Sequence, residues 1–123
     1  RGYPQVGFLK ARIERPLNLD AEFDKACLFF VFHGFENDSK EQIIANAYKA
    51  LKPGGALWIL DYSQFDLGKV WRPLRWAFTR VECELALEFL ELDLEGMLRS
   101  AGFADFRSHA FYRGYLRLLE AHK

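Results

Sequence analysis

Short apolar runs separated by turn-forming residues predict an α/β fold. Phe23–Phe32 is the most apolar stretch of the chain, and it predicts a central strand at Lys25–Phe29. Ala56–Leu60 is a second short apolar run, which predicts a strand buried on both faces and ending at Asp61. Apolar residues at helical spacing across Lys40–Leu51 predict a helix between the two strands. Helix, turn, buried strand and terminal acid are half of an α/β crossover unit.

Turn-forming residues set the predicted ends of this helix. Asn37-Asp38-Ser39 is a cluster of residues that favour the N-cap position. At the other end Pro53 cannot continue the helix, and Gly54-Gly55 supply the freedom in φ for a sharp turn into the strand.

The remaining pattern predicts three further strands and two further helices. The predicted strands are Val6–Ala11, Arg107–Phe111 and Tyr115–Ala121, and the predicted helices are Asp66–Arg80 and Asp93–Ala101. Pro73 kinks or restarts the first helix, and Gly102 fits the C-cap of the second. Because Arg113-Gly114 is a tight-turn signal, the last two strands are predicted to be antiparallel.

Composition narrows the class of protein. The 123 residues suffice for one domain with a core, and 17 basic residues balance 17 acidic ones, so no electrostatic argument favours nucleic acid. Cys27 and Cys83 lie in apolar segments and are interpreted as buried free thiols in a reducing, cytoplasmic compartment. No apolar run has the roughly 20 residues of a membrane span. No residue spacing is typical of a metal site.

Four segments in order resemble the C-terminal part of a class I S-adenosylmethionine-dependent methyltransferase, of the ubiquinone/menaquinone C-methyltransferase-like subgroup. The segments are the strand from Phe23-Asp24 to His33, the L-K-P-G-G turn at Leu51–Gly55, M-L-R-S-A-G-F at Met97–Phe103, and Gly114–Lys123. The resemblance implies a Rossmann-like sheet whose final strand inserts between Ala56–Asp61 and Arg107–Phe111. It covers the whole chain, which we expect to be a single, incomplete domain over 1–123 and part of a larger enzyme.

The resemblance implies S-adenosylmethionine as cofactor, but the chain departs from the family pattern on the cofactor side. The Gly-rich loop and the acid that holds the ribose hydroxyls are absent. Where the family often has an Asp beside the adenine, this chain has Arg12, followed by Ile13. Either Arg12 stacks on the adenine ring, or backbone and apolar contacts near Ile13 bind it, or this is not a cofactor site. Phe29 and Phe30 are the further cofactor candidates.

On the substrate side, the resemblance implies a small-molecule acceptor. His33 and Asp61 follow two neighbouring strands and are the catalytic candidates, with His33 as base or substrate-orienting group. The alternatives are a packing role for His33, and a helix-capping or Arg-pairing role for Asp61. Tyr62, Trp71 and Trp76 are the substrate-binding candidates. The two tryptophans would form a lid over an apolar substrate, or else pack internally or at a dimer contact.

The function predicted from the sequence is S-adenosylmethionine-dependent methyl transfer to a small molecule. The alternative is a non-catalytic Rossmann-like binding or assembly module. Without the family's first two strands, the apolar strand Lys25–Phe29 has a bare edge. Either Val6–Ala11 closes onto it, or two copies of the chain pair through their open edges, or the missing part is present but not seen, and pairing between copies is the favoured prediction. The same loss predicts weak cofactor binding by the chain alone.

Overall fold

The computed structural model describes residues 6–63, 69, 71–81 and 92–123. These residues form four strands and three α-helices. The strands are β1 (Phe23–Phe29), β2 (Leu51–Tyr62), β3 (Ala104–Phe111) and β4 (Leu116–His122), and the helices are α1 (Asn37–Ala50), α2 (Arg72–Val81) and α3 (Leu94–Ala101). Short 3-10 turns at Phe32–Gly34 and Tyr112–Gly114 follow β1 and β3. The predicted irregular or helical cover at Cys83–Phe89 lies outside the described residues.

The sheet has the predicted order. Its strands are arranged β1-β2-β4-β3, so the final strand lies between β2 and β3. β1 and β2 are parallel, while β4 is antiparallel to both of its neighbours. The mixed α/β, Rossmann-like fold class and the antiparallel final pair are therefore confirmed.

Parallel pairing of β1 with β2 brings the carboxyl ends of both strands to one edge of the sheet. Phe29 pairs with Leu60, and the Phe30 backbone N–H donates to the carbonyl of Leu60 at 2.8 Å. The chain leaving β1 at Phe30 therefore passes beside the end of β2, next to Asp61.

The core lies on one face of the sheet, under α1 and α3. Its buried members are Phe32, Ile43, Ile44, Leu51, Leu57, Ile59, Leu94, Leu98, Phe103, Leu119 and Ala121. Leu57, Ile59 and Asp61 point to this face, whereas Trp58 and Leu60 are only half-buried on the other. Ala56 on that other face is buried as well, so the predicted burial of Ala56–Leu60 on both faces is confirmed only in part for the described residues.

The structure corrects two predictions about β1 and the segment before it. Residues 6–12 have no regular secondary structure, so the strand predicted at Val6–Ala11 is wrong: no described strand lies beside it to accept its hydrogen bonds. β1 is an edge strand with mostly exposed side chains, among them Cys27, which is therefore not a buried thiol. Cys83 lies outside the described residues.

The helix ends differ from the sequence pattern in one place and agree in two. α1 begins at Asn37 with Glu36 as its N-cap and no side-chain cap, so the Asn37-Asp38-Ser39 cluster lies inside the first turn. α3 begins after Asp93, whose side chain accepts from the Gly96 N–H. It ends at Gly102, which has φ +114° as the predicted C-cap requires.

The L-K-P-G-G segment is a bulge within β2 and not a turn before it. Between its pairings with Phe23 and Lys25 of β1, β2 advances from Leu51 to Ala56, so residues 52–55 stand opposite the single residue Asp24 and three of them are extra. Gly54 has φ +83°. Gly55 lies so close to the neighbouring strand that a Cβ there would be 2.9 Å from the Lys52 carbonyl oxygen and 3.0 Å from that of Asp24.

Lys123 stabilises the end of α1 beside this bulge. Its Nζ donates to the carbonyls of Tyr48 and Leu51, both at 2.7 Å, and lies 4.6 Å from the centroid of the Tyr48 ring. The Lys123 backbone N–H donates to the Gly55 carbonyl at 2.8 Å. A cation at a helix C-terminus compensates carbonyls that have no partner within the helix.

The close approach at Gly55 predicts that an added methyl group lowers the free energy of unfolding at position 55 but not at position 34. Gly55→Ala should lower the free energy of unfolding by roughly 1–3 kcal/mol, because backbone atoms that cannot move independently would meet the new Cβ. Gly34→Ala is the matched control, since a Cβ there meets nothing within 4 Å. Urea unfolding followed by circular dichroism measures both. Equal stability of the two variants would contradict the close approach.

Candidate functional site

His33 and Asp61 form a pair at the carboxyl edge of β1 and β2. Asp61 is the last but one residue of β2, and His33 lies in the 3-10 turn that follows β1. His33 Nδ1 lies 2.8 Å from Asp61 Oδ1, and the His33 backbone N–H donates to Oδ2 at 3.1 Å. The two catalytic candidates are thus brought together as their shared edge predicted.

The Asp61 carboxylate is 2% exposed and accepts a third hydrogen bond, from the Tyr62 backbone N–H to Oδ1 at 2.8 Å. Because a carboxylate oxygen accepts, the hydrogen between Oδ1 and Nδ1 belongs to the imidazole. The neutral His33 ring is therefore the Nδ1–H tautomer, with its lone pair on Nε2. The Tyr62 ring packs edge-on against this imidazole, with centroids 5.0 Å apart.

Arg117 is the cross-strand neighbour of Asp61 in β4. Burial lowers the pKa of Arg117, and Glu95 on α3 opposes that change. Arginine nevertheless stays cationic in proteins, so this end of the sheet contains both a buried carboxylate and a guanidinium. Asp61 is within hydrogen-bonding distance of His33. The geometry therefore supports pairing of Asp61 with His33 over the alternative of pairing with an arginine.

An apolar cleft of about 270 Å³ lies beside β1, between α1 and the segment that precedes the strand. Ile13, Leu17, Ala26, Leu28 and Ala47 are among the residues that line it. Ile13, a cofactor candidate, is therefore in the wall of a cleft. Phe29 and Phe30 lie at the carboxyl end of β1 and are about half exposed.

Asn46 fixes the segment that contains Ile13, and the sequence-based predictions missed it. Its Nδ2 donates to the carbonyls of Ile13 at 2.8 Å and Arg15 at 2.7 Å, while its Oδ1 accepts from the Leu17 N–H at 3.2 Å. Gln42 Nε2 donates to the same Oδ1 at 3.0 Å. The available signal was a polar residue among the apolar, core-facing positions of α1.

Arg12 is paired with Glu14 on the protein surface. Its guanidinium donates from Nε to Glu14 Oε1 at 2.7 Å. The pKa of Glu14 lies below its ordinary value, mainly because of a backbone hydrogen bond at Glu14 and secondly because of the bond from Arg12. The Arg12 side chain is exposed. Stacking of adenine on Arg12 stays a prediction.

The remaining substrate-binding candidates divide between two places. Tyr62 is half-buried against His33. Trp71, just before α2, is 72% exposed, and Trp76, within α2, is 62% exposed. The lid role of the two tryptophans stays a prediction. Among the described residues, no group of three or more His, Cys, Asp or Glu side chains is arranged to hold a metal ion.

The Asn46 contacts predict that the conformation of residues 13–17 depends on the side-chain amide of Asn46. Asn46→Asp keeps the oxygen acceptor but loses both donated hydrogen bonds, so the carbonyls of Ile13 and Arg15 lose their partner. We expect amide hydrogen exchange over residues 13–17 to accelerate about tenfold or more, since such a loss costs roughly 1–3 kcal/mol locally. Asn18→Asp is the control, because it makes the same charge change at an exposed site. Unchanged exchange in Asn46→Asp would contradict this account.

Comparison with known proteins gives matches in sequence and in structure. Residues 1–59 match the family described as "Methyltransferase domain". An uncharacterized methyltransferase of Synechocystis is 27% identical over 96% of this chain and 56% of its own length. A tRNA N(3)-methylcytidine methyltransferase of Drosophila melanogaster is 28% identical over 67% of this chain and 27% of its own. The chain thus spans about half, or less, of these relatives.

Among solved structures, an S-adenosylmethionine-dependent methyltransferase from Thermotoga maritima superposes with a TM-score of 0.67 at 18% identity. The match covers 96% of this chain and 64% of that one, and it shows the shared Rossmann-like fold. The comparisons do not favour a non-catalytic module, and they do not distinguish the ubiquinone subgroup. Together, the comparisons show similarity to methyltransferases in the first half of the chain by sequence, and over nearly the whole chain they show a fold shared with S-adenosylmethionine-dependent methyltransferases.

Proposed function

We propose that the protein transfers a methyl group from S-adenosylmethionine to a small-molecule acceptor, with His33 as the general base. The observation behind this proposal is the His33–Asp61 pair at the carboxyl edge of β1 and β2. Ligands of open α/β sheets bind at this edge. When bound, the cofactor supplies an electrophilic methyl group on a sulfonium, so most of the protein's task is to position the acceptor and exclude water.

In this proposal Asp61 is a positioning residue and His33 touches the acceptor. Asp61 holds the Nδ1–H, so the proton acceptor is Nε2. A hydroxyl or carbon acid that gives up its proton to Nε2 becomes the nucleophile that the methyl group requires. Tyr62, packed against the imidazole, limits the directions from which an acceptor can approach.

The cofactor side of the site is only partly supplied by this chain. Ile13 and Leu28 provide an apolar wall, and Phe29 and Phe30 provide exposed aromatic surface at the end of β1. Such side chains fit the face of an adenine ring or the carbon chain of the methionine moiety. The sequence contains no Gly-rich loop of the kind that opens the family's cofactor site, and no acid stands where the family's ribose ligand is expected. We infer that the rest of the cofactor site comes from a longer parent protein.

A tRNA acceptor is the competing proposal, and it is suggested by the Drosophila relative that acts on tRNA. The equal numbers of basic and acidic residues in this chain favour a small molecule, because polyanion binding draws on an excess of cations. A panel of phenols, carbon acids, amines and tRNA, assayed for S-adenosylhomocysteine release by the parent protein, distinguishes the two classes.

The proposed base predicts a specific loss of turnover. In the parent protein, His33→Ala should lower turnover by roughly 10²–10⁴-fold with the panel's best acceptor, because proton transfer to Nε2 is lost. Asp61→Asn should lower it less, since the imidazole remains. Affinity for S-adenosylmethionine should change little in either variant, and the melting temperature should move by only a few degrees.

His109→Ala is the matched control for this experiment, because His109 is an exposed histidine on β3. It should keep turnover and stability. If His33→Ala and Asp61→Asn unfold, both residues are structural and the catalytic proposal is wrong. If His33→Ala folds with unchanged turnover, His33 is not the base.

The incomplete cofactor side predicts weak cofactor binding by this chain in isolation. Isothermal titration of the purified 123-residue chain with S-adenosylmethionine should give little or no heat of binding. Thermal unfolding of the same sample, with and without the cofactor, is the control for a folded chain and should show no shift. Binding in the low micromolar range would overturn our account of the missing contacts.

A further inference from the structure

One side of α2 combines two arginines with an exposed indole, and we call Arg72, Trp76 and Arg80 the α2 basic face, with Trp71 directly before the helix. Trp71 is 72% exposed and Trp76 is 62% exposed, and Arg72 and Arg80 are also exposed. The Arg80 guanidinium lies 5.3 Å from the centroid of the Trp76 ring. Among the described residues, no carboxylate contacts Arg72 or Arg80.

Helical geometry explains why these side chains share a side. At about 100° per residue, Arg72, Trp76 and Arg80 fall within about 80° of arc, each one turn after the last. Arg75, which is half-buried, lies on the flank of the same arc. Trp76 is therefore between two arginines along the helix axis.

Helix α2 is cationic although the chain as a whole is neutral, and acidic residues resume directly after the helix at Glu82. Lys69, Arg72, Arg75 and Arg80 are basic, and no acidic residue lies between positions 69 and 81. In the whole chain, 17 basic and 17 acidic residues cancel. The cationic character of this helix is thus a local feature, complementary to an anionic surface.

We propose that the α2 basic face binds an anionic membrane surface. The arginines complement lipid phosphates, and indole side chains prefer the interface between headgroups and acyl chains. A cationic patch that also exposes an indole can therefore contact both the phosphates and the headgroup boundary of such a surface. No helix of the described residues is long and apolar enough to cross a membrane, so contact through α2 would be peripheral.

An RNA surface is the other polyanion to consider, and the observations favour lipid. α2 has ten residues and is therefore about 15 Å long. Binding to a nucleic-acid backbone usually draws on several phosphate contacts along an extended basic surface. An exposed tryptophan between two arginines, with a second exposed tryptophan directly before the helix, is better matched to an interface that accepts apolar rings.

Vesicle co-sedimentation of the purified chain tests the proposal. Wild-type protein should sediment with vesicles of phosphatidylcholine and phosphatidylglycerol, and not with phosphatidylcholine alone. The double variant R72E/R80E should partition about tenfold less or weaker still, since each surface cation contributes to attraction by anionic lipid. Tryptophan emission should shift to the blue on anionic vesicles, and W71F/W76F should lose most of that shift.

K10E/R113E is the matched control, because it makes the same change in net charge at two exposed residues outside α2. It should retain vesicle binding. Equal loss in both double variants would overturn the proposal in favour of general charge attraction. Absence of vesicle binding by the wild type would also overturn it. If tRNA rather than vesicles binds, and R72E/R80E loses that binding, the face is an RNA surface and the lipid proposal is wrong.

Discussion

A buried carboxylate requires hydrogen-bond donors, and much of the candidate site follows from meeting that requirement at Asp61. The sheet places this side chain on the covered face, in line with Leu57 and Ile59. Both carboxylate oxygens accept hydrogen bonds, two from His33 and one from Tyr62. Leaving one unmade would cost roughly 1–3 kcal/mol or more for a charged group. The geometry that stabilises the charge therefore also fixes the orientation of the imidazole.

The opposite edge of the sheet is held by an independent set of contacts. The bulge at residues 52–55 lets β2 begin directly at the end of α1 and still pair with β1. Gly55 permits the close approach, and Lys123 bonds the last carbonyls of the helix. These contacts set the register of β2, and the register determines which of its residues stands beside the chain leaving β1. The position of Asp61 thus depends on the far end of its own strand.

Apolar runs and the last turn are local signals, and they predicted the four strands of the described sheet, while the strand order was implied by the family resemblance. They also brought His33 and Asp61 to one edge. They failed where the outcome depends on partners distant in sequence. The apolar character of β1 predicted burial, yet the strand is at an edge with Cys27 exposed. Asn46 and Lys123 bond backbone carbonyls that are distant in sequence, and no sequence pattern indicates which carbonyls these are.

This chain supplies more of the acceptor side of the candidate site than of its cofactor side, and the sheet order explains why. His33 and Asp61 lie where β1 meets β2, and both strands are in this chain. The cofactor candidates lie in two places: Ile13 in the cleft beside β1, and Phe29 and Phe30 at the carboxyl end of β1, whose other edge no described strand pairs with. A base can be oriented by one neighbouring strand, whereas a cofactor of nucleoside size needs walls on more than one side. This chain therefore forms the acceptor side of the proposed site by itself, whereas the cofactor side needs further walls.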